Sequence, residues 1–197
     1  MNPFIVLDPL VHLLYVVLLP LIPHAPAILL IAGITLLARL ALHPLMRKPG
    51  LLTLVAQVPI FGVVYRLFTA PVIAGQHNLL LDQTLLGAPM SAHLLSAGWP
   101  AVFVLLGVLA CIAAVGWLTV LDARANPAPL KLPDDQPAEV AAAMERMQRV
   151  TPYLSLGSVL FAAFMPLAAM LYLLTSSTWS LLERRHLRAR SAAAVVA

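Results

Sequence analysis

The chain has 197 residues, 61% of them hydrophobic and only 10% charged, with a formal net charge of +4. Soluble domains carry about 25% charged residues, so the composition excludes an ordinary soluble domain and reads as a polytopic membrane protein. The single cysteine, Cys111, excludes a disulfide framework, and the positive charge fits membrane topology better than DNA.

In chain order, residues 1–26 are apolar but broken by Pro9, Pro20, Pro23 and Pro26. Their clean run is too short for an ordinary span and reads as a helix lying on the outer face, with a short extra span as the alternative. No Lys or Arg precedes Arg39, so this stretch lacks the basic region of a secretory signal. Spans follow at 27–46, 51–69, 99–121, 150–165 and 167–183. The first two are separated only by the basic turn Arg47, Lys48, Pro49, Gly50, so they form an antiparallel hairpin. Between the second and third, LLLDQTLLGAP reads as short helical pieces at a surface. The loop 122–149 is polar, with prolines in its first half and a short helix in PAEVAAAMERMQR. Pro166 separates the last two spans. The tail 184–197 is basic, and its last stretch, SAAAVVA, reads as disordered.

Lys and Arg gather in the turn at 47–50, the loop 122–149 and the tail. The positive-inside rule then puts the N-terminus outside and the C-terminus in the cytoplasm, the parity of five spans in a plasma membrane. The expected fold class is therefore all-α: five transmembrane helices behind an interfacial helix.

Topology converts position into depth. Arg39 lies seven residues from the inner end of its span, about 10 Å at 1.5 Å per residue. Gln57, Ser176 and, slightly shallower, Ser155 stand at similar depths on three other spans. Thr35, Arg39 and His43 share one helical face, and Tyr172, Ser176 and Ser180 another. The outer halves of these spans are apolar. Converging, these faces would make a polar groove in the inner leaflet, closed outside and open to the cytoplasm. An arginine inside hydrocarbon costs about 2.5 kcal/mol or more, so Arg39 needs a reason. The competing readings are snorkelling for Arg39 and back-bonding or helix packing for Ser, Thr and Gln. Arg66, near an outer end, reads as a snorkeller. No nucleophile–base pair, phosphate loop or metal-ligand spacing is visible, so no enzyme, cofactor or metal site is expected.

These residues resemble the YidC-type membrane protein insertases. TLLARLALHPL resembles the family's first core helix, with Arg39, Pro44 and Leu45 at its motif positions. LLTLVAQVPIFGVVYRLF resembles the second, through Gln57, Pro59 and Phe61. TPYLSLGSVLFAAFMPLAAMLYLLTSSTW resembles the closing hairpin, through Pro152, Pro166, Leu171, Tyr172 and Ser176. LLGAP resembles the short actinobacterial branch. The resemblance covers about residues 4–186. It implies a nucleotide-independent insertase or chaperone whose groove, through Arg39 and with it Gln57, Tyr172 and Ser176, handles nascent membrane proteins; Thr35 and Ser155 join the candidate groove residues by helical face and depth alone. The bilayer is a partner, and a ribosome or Sec translocon stays open; the basic tail fits ribosomal RNA and anionic lipid heads alike. The chain departs from the family at Leu173, Ser177 and Glu183. It also has Arg47 to Gly50 where the family has a long charged hairpin thought to receive substrates. A small-solute transporter and a non-catalytic assembly subunit are the alternatives.

Overall fold

The computed structural model describes residues 8–46, 62–127 and 138–196. The basic turn at 47–50, residues 51–61 with Gln57, Pro59 and Phe61, and the stretch 128–137 lie outside these. The architecture is all-α with two small hairpins. Helices α1 (Asp8–Leu18), α2 (Ala27–Met46) and α3 (62–69) lead into β1 (Val72–Ile73) and β2 (Gln76–His77). A one-turn helix, α4 (Leu79–Asp82), precedes β3 (Thr84–Leu85) and β4 (Ala88–Pro89). The long helix α5 (Ala101–Ala125) follows, then α6 (Ala138–Val150), a 3-10 turn at Thr151–Tyr153, α7 (Leu154–Ala162) and α8 (Leu167–Val196).

Among the described residues α5 is the helix long and apolar enough to cross a membrane. It starts after Pro100 and stops before Asn126 and Pro127, where the missing proline N–H ends the ladder. It is apolar on every face. Leu105, Ile112 and Val120 are buried, while Phe103, Leu106, Trp117, Leu118 and Leu121 are exposed. A helix hydrophobic all round is stable only if protein or lipid covers it. α8 packs against both α2 and α5, and α5 also carries α7. Gly116 permits that last approach: a Cβ there would meet the Leu156 side chain at 3.3 Å and the Ser155 carbonyl oxygen at 3.5 Å.

The core gathers towards one end. Ile31 of α2, Phe68 of α3, Leu105 of α5, and Leu167 and Met170 of α8 are fully buried there with Leu80 and Met90. That end is closed by α1, α4 and the hairpins: of the helical pieces expected from LLLDQTLLGAP, LLLD forms α4, whereas TLLGAP forms the second hairpin. In both hairpins the two loop residues have positive φ: Ala74 (48°) with Gly75 (80°), and Leu86 (50°) with Gly87 (84°). Two-residue loops of this kind match the twist of the flanking strands. Strands of two residues cannot show alternation, which is why the leucines read as helix.

Side chains stitch this cap together. The Tyr15 hydroxyl donates to the His77 carbonyl at 2.7 Å and accepts from the Leu79 N–H at 3.0 Å. The Gln83 amide donates to the Ile22 carbonyl at 2.6 Å, in the link between α1 and α2. The first N–H groups of α8, on Leu167 and Ala168, donate to the carbonyls of Ala92 (2.9 Å) and Met90 (3.0 Å). A helix start has orphan donors, and the cap satisfies these without water. Arg66 is not a lone snorkeller: its Nε pairs with Asp8 at 2.7 Å and ties α3 to α1.

Leu86 is exposed and sits in the left-handed region, which costs a non-glycine residue about 1–2 kcal/mol. Leu86→Gly is therefore expected to leave packing intact and raise the thermal midpoint by a few degrees, measured by circular dichroism in detergent.

Two expected boundaries move. The span expected at 150–165 is the 3-10 turn and α7. α7 has nine residues, about 14 Å, because Val150 belongs to α6 and the helix stops before Pro166. The end of the tail, SAAAVVA, expected to be disordered, instead continues α8 as far as Val196.

Candidate functional site

α2 and α8 bring Arg39 and Ser176 together. The Arg39 Nη2 donates to the Ser176 Oγ at 2.5 Å. The neighbouring Thr175 and Thr178 hydroxyls are taken up by the Leu171 and Leu174 carbonyls of their own helix, so Ser176 is the hydroxyl that meets the guanidinium. Arg39 is half-buried and Ser176 buried. The Tyr172 phenol, one turn back on α8, lies within interaction range of both Arg39 and Ser176. Its ring stacks obliquely on Phe68 of α3 at 6.0 Å between centroids. Among the described residues no carboxylate lies within ion-pair distance of Arg39. Its charge is solvated by a hydroxyl and left without a counter-ion there.

The other expected site residues separate. Thr35 shares the Arg39 face in sequence, but its side chain is buried and its hydroxyl donates to the Ile31 carbonyl at 2.6 Å. It packs the floor beneath Arg39 and offers nothing to a ligand. Ser155 is on α7 and faces α5, in the cleft with Asp122 and Arg184. Its hydroxyl donates to the carbonyls of Pro152 (2.7 Å) and Gly116 (3.3 Å). Counting residues gives depth along an axis and says nothing of azimuth around a bundle. Gln57 lies outside the described residues.

A second polar feature was not expected. Asp122 follows Leu121, where the apolar run of α5 ends. It accepts from Arg185 Nε at 3.2 Å and from Arg188, both on α8. This clasp joins α5 to α8 beyond Glu183. Beside it opens a cleft of about 970 Å³ between the ends of α5, α6, α7 and α8, reaching to Ser155. The signal was present in sequence: one acid at the end of a span, facing a helix with Arg at 185 and 188.

Desolvation pushes the Asp122 carboxyl up, but the hydrogen bonds and charges of Arg188 and Arg185 outweigh it and hold it below its ordinary 3.8. The folded state therefore favours the carboxylate. The clasp's contribution is full above the ordinary value and is lost as pH falls through the lowered folded-state value. The wild type is expected to lose thermal stability on acidification in that window, and Asp122→Asn to lose less over the same range. Unfolding midpoints measured against pH for both proteins check this.

Among the described residues no cluster of three metal-ligating side chains gathers. The exposed His77–Asp82 pair, at 2.8 Å, is the nearest approach and links β2 to α4.

Comparison with protein-family models, curated proteins and solved structures returns no match. The functional reading therefore rests on the Arg39 site and on the resemblance of its motifs.

Proposed function

We propose that this chain is a five-span membrane protein insertase or chaperone of the YidC type, and that Arg39 receives the acidic flank of an incoming segment. The observation that carries this is the Arg39–Ser176 contact. An arginine in an apolar helix is held in place by a neutral hydroxyl, with no counter-ion among the described residues. A structural arginine at this depth would be expected to pair with a carboxylate. One kept unneutralised suits a transient anionic guest. The closed, apolar end beneath Thr35 supports the same reading, since it leaves the opposite end for entry.

The energetics are consistent. Transfer of about 20 apolar residues into lipid at about −0.3 to −0.6 kcal/mol each drives insertion without nucleotide. An aspartate drawn to the bilayer centre costs about 3 kcal/mol. Pairing with Arg39 offsets part of that cost while the flank crosses. Tyr172 and Ser176 orient the guanidinium.

The test is reconstitution. Proteoliposomes holding the full chain should protect a single-span substrate from added protease well above the level of empty liposomes. Protection equal to empty liposomes, with the chain shown to be folded, would remove the insertase reading and leave a solute transporter or an assembly subunit.

A further inference from the structure

The cleft beside Asp122 is basic. Arg124 of α5, Arg149 of α6, and Arg184 and Arg188 of α8 line it against Asp122 and Glu145, which leaves two positive charges in surplus. Arg188 is engaged by Asp122, and Arg149 lies 3.8 Å from Glu145 in an exposed pair worth little. Arg124 has no ion partner among the described residues. A volume of about 970 Å³ is far more than a bare phosphate fills.

The surroundings of the cleft are graded. Along α5, Trp117, Leu121 and Arg124 fall at i, i+4 and i+7 on one face, and all three are exposed. The face thus passes from aromatic to aliphatic to cationic within two turns, the order met on going from acyl chain to headgroup. On α6, Val140, Met144 and Met147 form a second exposed apolar stripe, at i, i+4 and i+7, with Arg149 beyond it. Basic clefts between spans at the cytoplasmic surface suit lipid phosphates.

We propose that this cleft binds the phosphate of an anionic phospholipid of the inner leaflet, with Arg124, Arg149 and Arg184 on the phosphate and the lipid's chains against Trp117 and Leu121. This rests on the membrane-spanning reading of α5 but not on insertase activity.

The experiment uses the full chain carrying Trp99→Phe and Trp179→Phe, so that Trp117 is the sole tryptophan, reconstituted in vesicles of phosphatidylcholine. Brominated phosphatidylglycerol is expected to quench Trp117 at a lower mole fraction than brominated phosphatidylcholine. Arg124→Gln and Arg149→Gln should each weaken that preference by about fivefold, with Arg124→Lys retaining most of it and quenching by brominated phosphatidylcholine unchanged as the folding control. Equal quenching by both lipids would overturn the site while leaving the membrane reading standing. No quenching by either would remove α5 from the bilayer, and the site with it. Reversal of the preference by millimolar inorganic phosphate would assign the cleft to a soluble phosphate and overturn the lipid.

Discussion

Arg39→Ala is expected to slow insertion of substrates with an acidic outer segment by about tenfold, equivalent to about 1.4 kcal/mol, and to change neutral substrates by less than about twofold. The size follows from competing terms. A full ion pair at an effective dielectric constant of 20 and 4 Å is worth about 4 kcal/mol. Solvent reaching the half-buried guanidinium would screen it, and the guest must release its own hydration, so a fraction survives. Arg39→Lys keeps the charge but not the planar fork that reaches Ser176 at 2.5 Å, so it should retain an intermediate rate. The measurement is protease protection in proteoliposomes, with paired substrates differing only in acidic residues. Equal losses for acidic and neutral substrates would make Arg39 a structural residue.

Asn78→Ala is expected to destabilise the fold by about 3 kcal/mol. Asn78 is fully buried. Its amide nitrogen donates to the carbonyls of Leu67 (2.8 Å) and Ala70 (3.0 Å) at the end of α3, and its oxygen accepts from the Leu80 N–H (3.2 Å) at the start of α4. One side chain thus closes one helix, opens the next and anchors the first hairpin between them. Removing it strands carbonyls where water does not reach. For a chain of this size the loss corresponds to a fall of about 10 °C in the thermal midpoint. Asn78→Asp should be at least as damaging, since it keeps the acceptor, loses the donor and adds a buried charge. A midpoint within about 2 °C of wild type for Asn78→Ala would mean the cap is not continuous with the core.

The helices that carry the site were legible because their signals are long. α2 runs over Ala27–Met46, the bounds of the apolar run itself. α5 differs from the expected span by a few residues, and the break near 166 follows from proline. What escaped was short or non-local. The hairpins have strands of two residues and turns of Ala-Gly and Leu-Gly, where leucine masks the turn and only glycine marks it. Asn78 looks like any loop asparagine until both helices it joins are placed. Arg66 has its partner on α1, and Asp122 has its partners on α8, pairings that depth alone does not reveal. Within the site, Arg39, Tyr172 and Ser176 come together as depth and helical face require. Thr35 and Ser155 do not join them, because a shared face or depth leaves a hydroxyl free to bond its own backbone.

The most direct test of the account is photocrosslinking from probes placed singly at Ser176, Ser180 and Leu37 of the full chain, in membranes carrying ribosome-tethered nascent membrane proteins. Ser176 and Ser180 lie on the polar stripe of α8, whereas Leu37 is among the most exposed leucines of α2. Adducts to the nascent chain are expected from 176 and 180 while its apolar segment emerges, stronger than from 37 and weakened by Arg39→Ala for acidic substrates. Adducts absent from both groove positions in a folded protein, or no stronger there than at 37, would contradict it.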